Sequence, residues 1–387
     1  MPFTEVTRHS LGSRLRKSLG GVIVGILIII AAITTLWWNE GRAVKTARGL
    51  DEGLGQVVSA HSENILSEND GKLVHIIGTI SSEEELQDPE FGISQRALKL
   101  KRSVEVFQWV EKKDRESEKK VGGSEEVTTT YTYEQAWHSR PIASHKFKET
   151  AGHENPAAFP YSSFTLSTGQ GRLGSYSVPK WMMDRIGGYE VVRLEGLEDR
   201  FSDRIIDMDS SPRSAVFIGN GTISEPRVGD TRIQWFQAPS GSFSVIAKQF
   251  GNSLEPFHTS FGTTIDMLTR GEVSADSMFR SAHRSNTLLT WVLRVLGFFL
   301  IAIGFRIIMK PLIVLGDIIP LIGRIVSVLV NMVSALFSLM ISFIVIGLAW
   351  VWYRPWLGGS MLLLAVVIFV LYRKRARTSV SVVPEVD

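Results

Sequence analysis

The chain has 387 residues, with 42 Lys and Arg against 39 Asp and Glu and a formal net charge of +3. So small a basic excess, with no aromatic-laced basic stripe, leaves no electrostatic footprint for nucleic acid. Cysteine is absent, which rules out disulfides, thiolate metal sites and a cysteine nucleophile.

Four long apolar runs set the organisation. A basic segment with Arg8, Arg14, Arg16 and Lys17 comes first and reads as a cytoplasmic tail over residues 1–18. The first run predicts a transmembrane helix over 19–38, close to the roughly 20 residues that a bilayer crossing needs. It is longer than a signal-peptide core and ends in Trp37-Trp38 rather than a small-residue cleavage site, so a retained span is expected. Residues 39–286 are hydrophilic and long enough for one sizeable domain or two small ones. The second run predicts a helix over 287–308. Residues 309–324 are apolar but broken by Pro311, Gly316, Asp317 and Pro320, which suits an interfacial segment on the cytoplasmic side. A third helix is expected over 325–352 and a fourth over 355–372. Residues 373–387 form a second basic tail, with Arg373, Lys374, Arg375 and Arg377.

The positive-inside rule places both tails in the cytoplasm and, by alternation, residues 39–286 on the opposite side. The expected fold class is therefore a membrane protein of α+β type. It has four transmembrane helices, one N-terminal and three C-terminal, with a large β-rich extramembrane domain between spans 1 and 2.

Within that domain, alternating and β-branched patterns predict strands at 72–80, 103–112, 128–137, 190–194, 232–237 and 242–250. The charged stretch 112–126 reads as a long hairpin loop, and Pro239-Ser240-Gly241 as the turn of a tighter hairpin. Helical patches are expected at 179–186 and 274–285. Gly78-Thr79-Ile80-Ser81, Pro89-x-x-Gly92 and Gln108-Trp109 are echoed by Gly221-Thr222-Ile223-Ser224, Pro226-x-x-Gly229 and Gln234-Trp235. Chance likeness of strand-turn-strand sequence is the simpler reading, and a duplication into two related subdomains is the other.

Some polar residues lie inside the apolar runs. Arg294 sits about two turns into the second span, where a charge is costly; snorkelling or pairing with the domain is expected before a conduction role. Ser327, Asn331, Ser334, Ser338 and Ser342 recur on one face of the third span. Helix packing or self-association is the expected use of such a face, and a polar pore lining the alternative. Gly21 and Gly25 form a G-x-x-x-G, a weak association signal.

The residues that follow the first span are distinctive: Asn39-Glu40-Gly41-Arg42-Ala43-Val44-Lys45-Thr46-Ala47, then Glu52-Gly53-Leu54. Further blocks are residues 71–78, residues 104–111 including Gln108 and Trp109, Gly152-His153-Glu154-Asn155-Pro156, and Val228-Gly229-Asp230-x-Arg232. Together with the order of one span, a large domain and three spans, they resemble the transmembrane protein 43 (LUMA) family over nearly the whole chain. The resemblance implies a protein that organises membrane protein complexes and has no established enzymatic activity. For eukaryotic members it implies the endoplasmic reticulum and inner nuclear membrane with a lumenal domain and lamina-associated partners. The lack of cysteine and the short N-terminal tail suit a bacterial member, whose domain would be periplasmic at the inner membrane.

The sequence carries no recognisable catalytic constellation. Gly169-Gln170-Gly171-Arg172-Leu173-Gly174 matches G-x-G-x-x-G, but no helix opens directly after it, so loop glycines are expected. His138, His145 and His153 lie seven and eight residues apart, which is not a metal-ligand spacing; the last of them is expected in a hydrogen-bonded turn. No nucleophile elbow, phosphate loop or zinc-protease motif occurs. The expectation is thus a non-enzymatic multi-pass scaffold without cofactor, metal or nucleic acid, and with membrane lipids, other membrane proteins and a second copy of itself as partners. The alternative is a transporter, channel or lipid-handling protein using the polar residues of spans 2 and 3.

Overall fold

The computed structural model describes residues 2–194, 204–208 and 211–356, together with 359–360, 363, 367 and 370–371. The chain opens with β1 (Phe3–His9) and α1 (Leu11–Gln56), followed by β2 (Val58–His61), β3 (Leu73–Ser81), β4 (Leu86–Asp88), β5 (Ile93–Gln95), β6 (Lys99–Lys119) and β7 (Glu125–His138). Next come β8 (Phe164–Ser167), β9 (Gln170–Leu173), β10 (Tyr176–Pro179), α2 (Lys180–Met183), β11 (Glu190–Val191), β12 (Ile205–Met208), β13 (Ser211–Ile218) and β14 (Thr231–Ala238). The domain ends with β15 (Gly241–Phe250), β16 (Ser253–Glu255), β17 (Phe257–His258), β18 (Thr264–Ile265) and β19 (Met267–Arg270), and the chain continues through α3 (Ala275–Ile308), α4 (Lys310–Gly316) and α5 (Pro320–Tyr353).

Three helices among the described residues, α1, α3 and α5, are long and apolar enough to cross a membrane. That is one fewer than expected. The anticipated fourth span, 355–372, falls mostly outside the described residues and is not supported. Each helix start has a local cause. Ser10 caps α1 by accepting a hydrogen bond from the Ser13 amide at 3.3 Å, Ser274 caps α3 in the same way through Ser277, and Pro320 opens α5 where its missing N–H costs nothing. α1 and α3 cross at Gly25 and Gly304: a Cβ on either would come within 3 Å of the other's carbonyl oxygen. Gly25 of the G-x-x-x-G thus serves packing within the chain. Ala32 and Leu36 of α1, Ile301 of α3 and Val345 of α5 close the core of the bundle.

Two sheets build the domain. The larger runs β1-β7-β6-β14-β13-β12, with β8 on β6 and β11 on β14; the smaller joins β19, β15, β3 and β2 with β9, β10 and β16. Leu100, Val104, Ile233 and Trp235 bury one face of the large sheet beneath the β4–β5 hairpin. Val74, Ile76, Phe243 and Val245 pack the small sheet against Met182 and Met183 of α2. Its other face meets the domain ends of α1 and α3, where Leu50, Leu73, Ile246, Ile265 and Phe279 form one cluster. Gly53 is needed there, because a Cβ would sit 2.2 Å from the Ile265 side chain. Every described strand expectation has a counterpart, although 190–194 shrinks to Glu190–Val191. The small helix and the α3 start also fall where expected.

Two expected connections between strands are corrected. The charged stretch 112–126 is not a long loop: β6 and β7 pair continuously from Val106–His138 to Lys119–Glu125, so only 120–124 turn. Charges of both signs fill residues 112–119 of β6, where 112–118 are exposed whichever face they point to, a pattern that resembles a loop in composition. Pro239-Ser240 is not a hairpin turn, since β14 and β15 belong to different sheets. The two Gly-Thr-Ile-Ser stretches differ in structure, in accord with chance likeness: the first ends β3, whereas residues 221–224 form a loop held by the Glu225 carbonyl and the Asp230 carboxylate.

The N-terminal segment is the largest change. Residues 3–9 are not a free tail but β1, antiparallel to β7 from Phe3–Tyr131 to His9–Glu125. The turn between β6 and β7 then touches the far end of the helix bundle. The Gly122 amide donates to the Ile318 carbonyl at 3.0 Å, and Arg14 donates to the Gly123 carbonyl at 2.6 Å. Alternation had put residues 39–286 and residues 309–324 on opposite sides of the membrane, and a bilayer cannot lie between hydrogen-bonded groups. The assignment of all of 39–286 to the side opposite the N-terminus is therefore withdrawn. The reach of the two elements agrees with this contact. The 39 steps along α1 from Leu11 to Leu50 rise about 58 Å, and the 19 steps along β6 from Leu100 to Lys119 rise roughly 63 Å.

The docking of β1 is open to a direct test, because the natural chain has no cysteine to interfere. Thr7 and Val127 lie directly opposite one another, at a Cα separation that a disulfide tolerates. Thr7→Cys with Val127→Cys is expected to oxidise to an intramolecular disulfide, read as a gel shift that reductant reverses. A pair that stays reduced, or links only between molecules, would show that β1 does not dock.

Candidate functional site

The distinctive residues at the end of the first apolar run form a polar lock between α1, α3 and α5. Glu40 is buried, and its carboxylate takes a two-pronged bond from Arg294: Nε to Oε1 at 2.7 Å and Nη2 to Oε2 at 2.8 Å. Trp350 of α5 donates its Nε1–H to the same Oε2 at 2.8 Å. The Arg294 guanidinium also lies over the rings of Trp291 and Trp350, at 4.8 and 5.6 Å from their centroids. Arg294 is thus neither snorkelling nor free for conduction; it is neutralised by the carboxylate two residues after Trp38.

One turn nearer the domain, Arg42 donates to Asn286 Oδ1 at 2.9 Å and to Asn39 Oδ1 and Thr290 Oγ1 at 3.1 Å. Asn39 Nδ2 donates to the Thr290 carbonyl, and Asn286 Nδ2 to the Ala43 carbonyl. Asn286, Thr290 and Arg294 recur every four residues and so form one stripe of α3 facing α1. Gly41 completes the lock by absence: a Cβ there would lie 2.6 Å from the Tyr353 ring. The arrangement fixes three helices in register at the foot of the domain, and its charged groups are consumed in doing so.

A second lock sits at the other end of α1. The fully buried Asp317 accepts from Arg14 Nη2 and Lys119 Nζ, both at 2.6 Å, and Arg14 also pairs with Glu125 at 3.0 Å. Gly323 leaves room for it, since a Cβ would come 2.1 Å from Oδ1. Helix α1, the β6–β7 turn and the α4–α5 connection meet here, around a cavity of about 430 Å³. In the sequence Asp317 stands out only as a break in an apolar stretch, and this role is not visible there. An aspartate between Gly316 and Pro320 in so apolar a segment was the available signal.

The remaining family-like blocks stitch the loop 139–156 to β6. Gln108 is buried; its Nε2 donates to the Arg140 carbonyl at 3.1 Å and its Oε1 accepts from the Ile142 amide at 2.9 Å. Asn155 does the same for Trp109, accepting from its amide at 2.7 Å and donating to its carbonyl at 2.9 Å. The Asn155 side-chain amide therefore replaces the strand partner that β6 lacks at Trp109, while the Gln108 side chain satisfies the backbone of the loop itself. The His153 ring stacks on Tyr133 at 3.8 Å and meets Trp109 edge-on at 4.7 Å. Gly152, at φ +80°, gives the turn its left-handed step, and Pro156 packs beside Gly229. Nearby, burial raises the Glu111 carboxyl, but hydrogen bonds from the Lys148 amide, Lys113 and Tyr133 outweigh it and hold the group below its ordinary value. The expected turn at His153 is present.

Other sequence candidates are placed as follows. Ser334, Ser338 and Ser342 are buried inside the chain, with Ser338 donating to the Phe298 carbonyl. Ser327 lines the cavity near Asp317, and Asn331 is exposed on α5. The face thus divides: its buried part packs α5 on α3 and is not available to a second copy. The G-x-G-x-x-G stretch forms the β9–β10 hairpin, with Gly174 at φ +59° in the turn. His145 is exposed in a short turn and His138 ends β7, so the three histidines do not converge.

Two substitutions probe these arrangements. Glu40→Ala strands the Arg294 guanidinium and is expected to destabilise the detergent-solubilised protein by about 3–5 kcal/mol, whereas Glu40→Leu with Arg294→Met should recover most of the loss in thermal unfolding. Equal destabilisation by the double variant would mean the pair is not the lock. Asn155→Ala leaves the Trp109 amide and carbonyl unpaired, and about 1–3 kcal/mol of stability should go, together with faster amide exchange across residues 139–156. Unchanged exchange there would refute the stitching role.

Comparison with known proteins agrees with this geometry. The family model described as Transmembrane protein 43 matches residues 106–355. The mouse and human Transmembrane protein 43 are each 32% identical to this chain over 373 residues, covering 94% of it and 92% of the relative. The Drosophila melanogaster Transmembrane protein 43 homolog is 29% identical over 363 residues, covering 92% of this chain and 94% of the relative. No solved structure matches. With the apolar helices, the domain between them and likeness along almost the full length of the chain, this integral membrane protein belongs to the Transmembrane protein 43 family.

Proposed function

We propose that the chain is a membrane scaffold, which organises membrane protein complexes by holding its β-rich domain in a fixed pose on the bundle. The observation that carries this reading is the pair of buried polar locks, Glu40–Arg294–Trp350 at one end of α1 and Arg14–Asp317–Lys119 at the other. Groups placed to conduct or bind a solute would keep charge free toward a path. Here the ionised groups face one another, and the orientation of the domain is what they determine. A rigid platform orders fewer groups on binding and so serves as a docking partner for other membrane proteins or a second copy.

Crosslinking with mass spectrometry in native membranes tests this. The exposed Lys101, Lys112 and Lys146 report from different parts of the domain. Recurrent intermolecular pairs from these lysines, to a second copy or to the same few membrane proteins, are expected. Only intramolecular pairs, with a monomer mass after solubilisation, would defeat the scaffold reading.

A further inference from the structure

The cavity beside Asp317 has a composition that the second lock does not use up. Five cations line it, Arg14, Lys17, Lys119, Arg306 and Lys310, against two carboxylates, Asp317 and Glu125. Arg14 and Lys119 are held by those carboxylates and form a fixed wall. Lys17, Arg306 and Lys310 are exposed and have no hydrogen bond or ion pair with any described residue. They come from three places that converge here: the start of α1, the last turn of α3 and the start of α4. His9 and Ser327 also line the space, and the remainder of the wall is apolar, with Ile307, Ile313 and Val314. Just outside, Leu312, Leu315 and Ile319 are exposed, as side chains that face acyl chains would be.

From this geometry we infer a binding site for the phosphate of an anionic membrane lipid, seated at the end of the bundle. The chemistry is of two kinds in one cavity. Unpaired Lys and Arg give directed, charge-assisted bonds to phosphate oxygens, and the apolar rim takes the glycerol and first methylenes. A free inorganic phosphate would satisfy the cations alone, which leaves the apolar wall without an occupant. The site lies at the level where the basic ends of α3 and α4 leave the apolar segment, as a headgroup site must. Occupancy would neutralise three cations crowded against Arg14 and Lys119 and so tighten the junction of α1, α4 and the β6–β7 turn.

The experiment uses the full chain, delipidated in a neutral detergent and mixed with phosphatidylglycerol or phosphatidylcholine, with retained lipid read by native mass spectrometry. Phosphatidylglycerol should be retained over phosphatidylcholine. Arg306→Gln with Lys310→Gln should lower that retention about tenfold, whereas Arg306→Lys with Lys310→Arg should keep it. Both side chains are exposed, so an unchanged melting temperature without lipid confirms that the variants fold. Arg284→Gln, an exposed cation at the other end of α3, should leave retention as it is. Equal retention of the two lipids, no loss in the glutamine variant, or the same loss from Arg284→Gln would overturn the site. If inorganic phosphate alone raises the melting temperature as much as phosphatidylglycerol does, the cavity holds a free anion and the lipid assignment fails.

Discussion

The structure depends on one buried ion pair. Glu40 and Arg294 lie where α1 and α3 leave their apolar segments, and neither charge could stay there without the other. Their bond sets the rotation of two helices about their own axes, and Trp350 adds the third. Once the helices are rotationally fixed, the Asn39, Arg42, Asn286 and Thr290 side chains fall into reach one turn further on. The domain ends of α1 and α3 then present Leu50 and Phe279 to the small sheet at a defined angle. The direction of the whole domain follows from a contact between two side chains.

Much of this was legible in the sequence, for physical reasons that differ from element to element. The apolar helices announce themselves by uncharged length, and strands such as β3, β14 and β15 by alternation against a buried face. The Asn39–Arg42 block was visible as a family feature, and its partner Arg294 as a charge in the wrong solvent. What joins them was not visible, because sequence separation carries no information about a contact across more than 250 positions. The far half of β6 was misread because residues 112–118 are exposed on both faces, whereas buried Thr129 and Tyr131 give β7 its alternation. Strand periodicity is a signal of one-sided burial, and a stretch without a buried face has none to give. β1 went unrecognised for a related reason, since Arg8 and the basic residues that follow it suited a cytoplasmic tail and its partner strand lies more than 110 residues away.

The topology rule failed on the same ribbon. Counting basic residues treats a hydrophilic domain as a single object on one side of the bilayer. A domain with an arm as long as the bundle is not such an object, and its tip shares an environment with the N-terminus and the α4–α5 connection. The histidine and glycine motifs, by contrast, resolve into ordinary structure: a stacked ring on Tyr133 and a hairpin turn. The residues that carry the family likeness are largely those that close gaps in the fold, with Asn155 standing in for a missing strand beside Trp109 and Gln108 holding the loop that carries it.

The equal reach of α1 and of β6 has a mechanical consequence. The two are joined at one end by the Asp317 junction and at the other through the small sheet, on which Leu50 is seated, so they form a closed frame rather than a lever with a free tip. In a closed frame neither member can lengthen, tilt or slide alone. A bilayer that thickens or thins around the helices loads the ribbon through its turn, and a force on the large sheet returns to the helices by the same route. Strain applied at the membrane is thus carried into the domain along a strut of strand hydrogen bonds, with Arg14 and Lys119 as the pins.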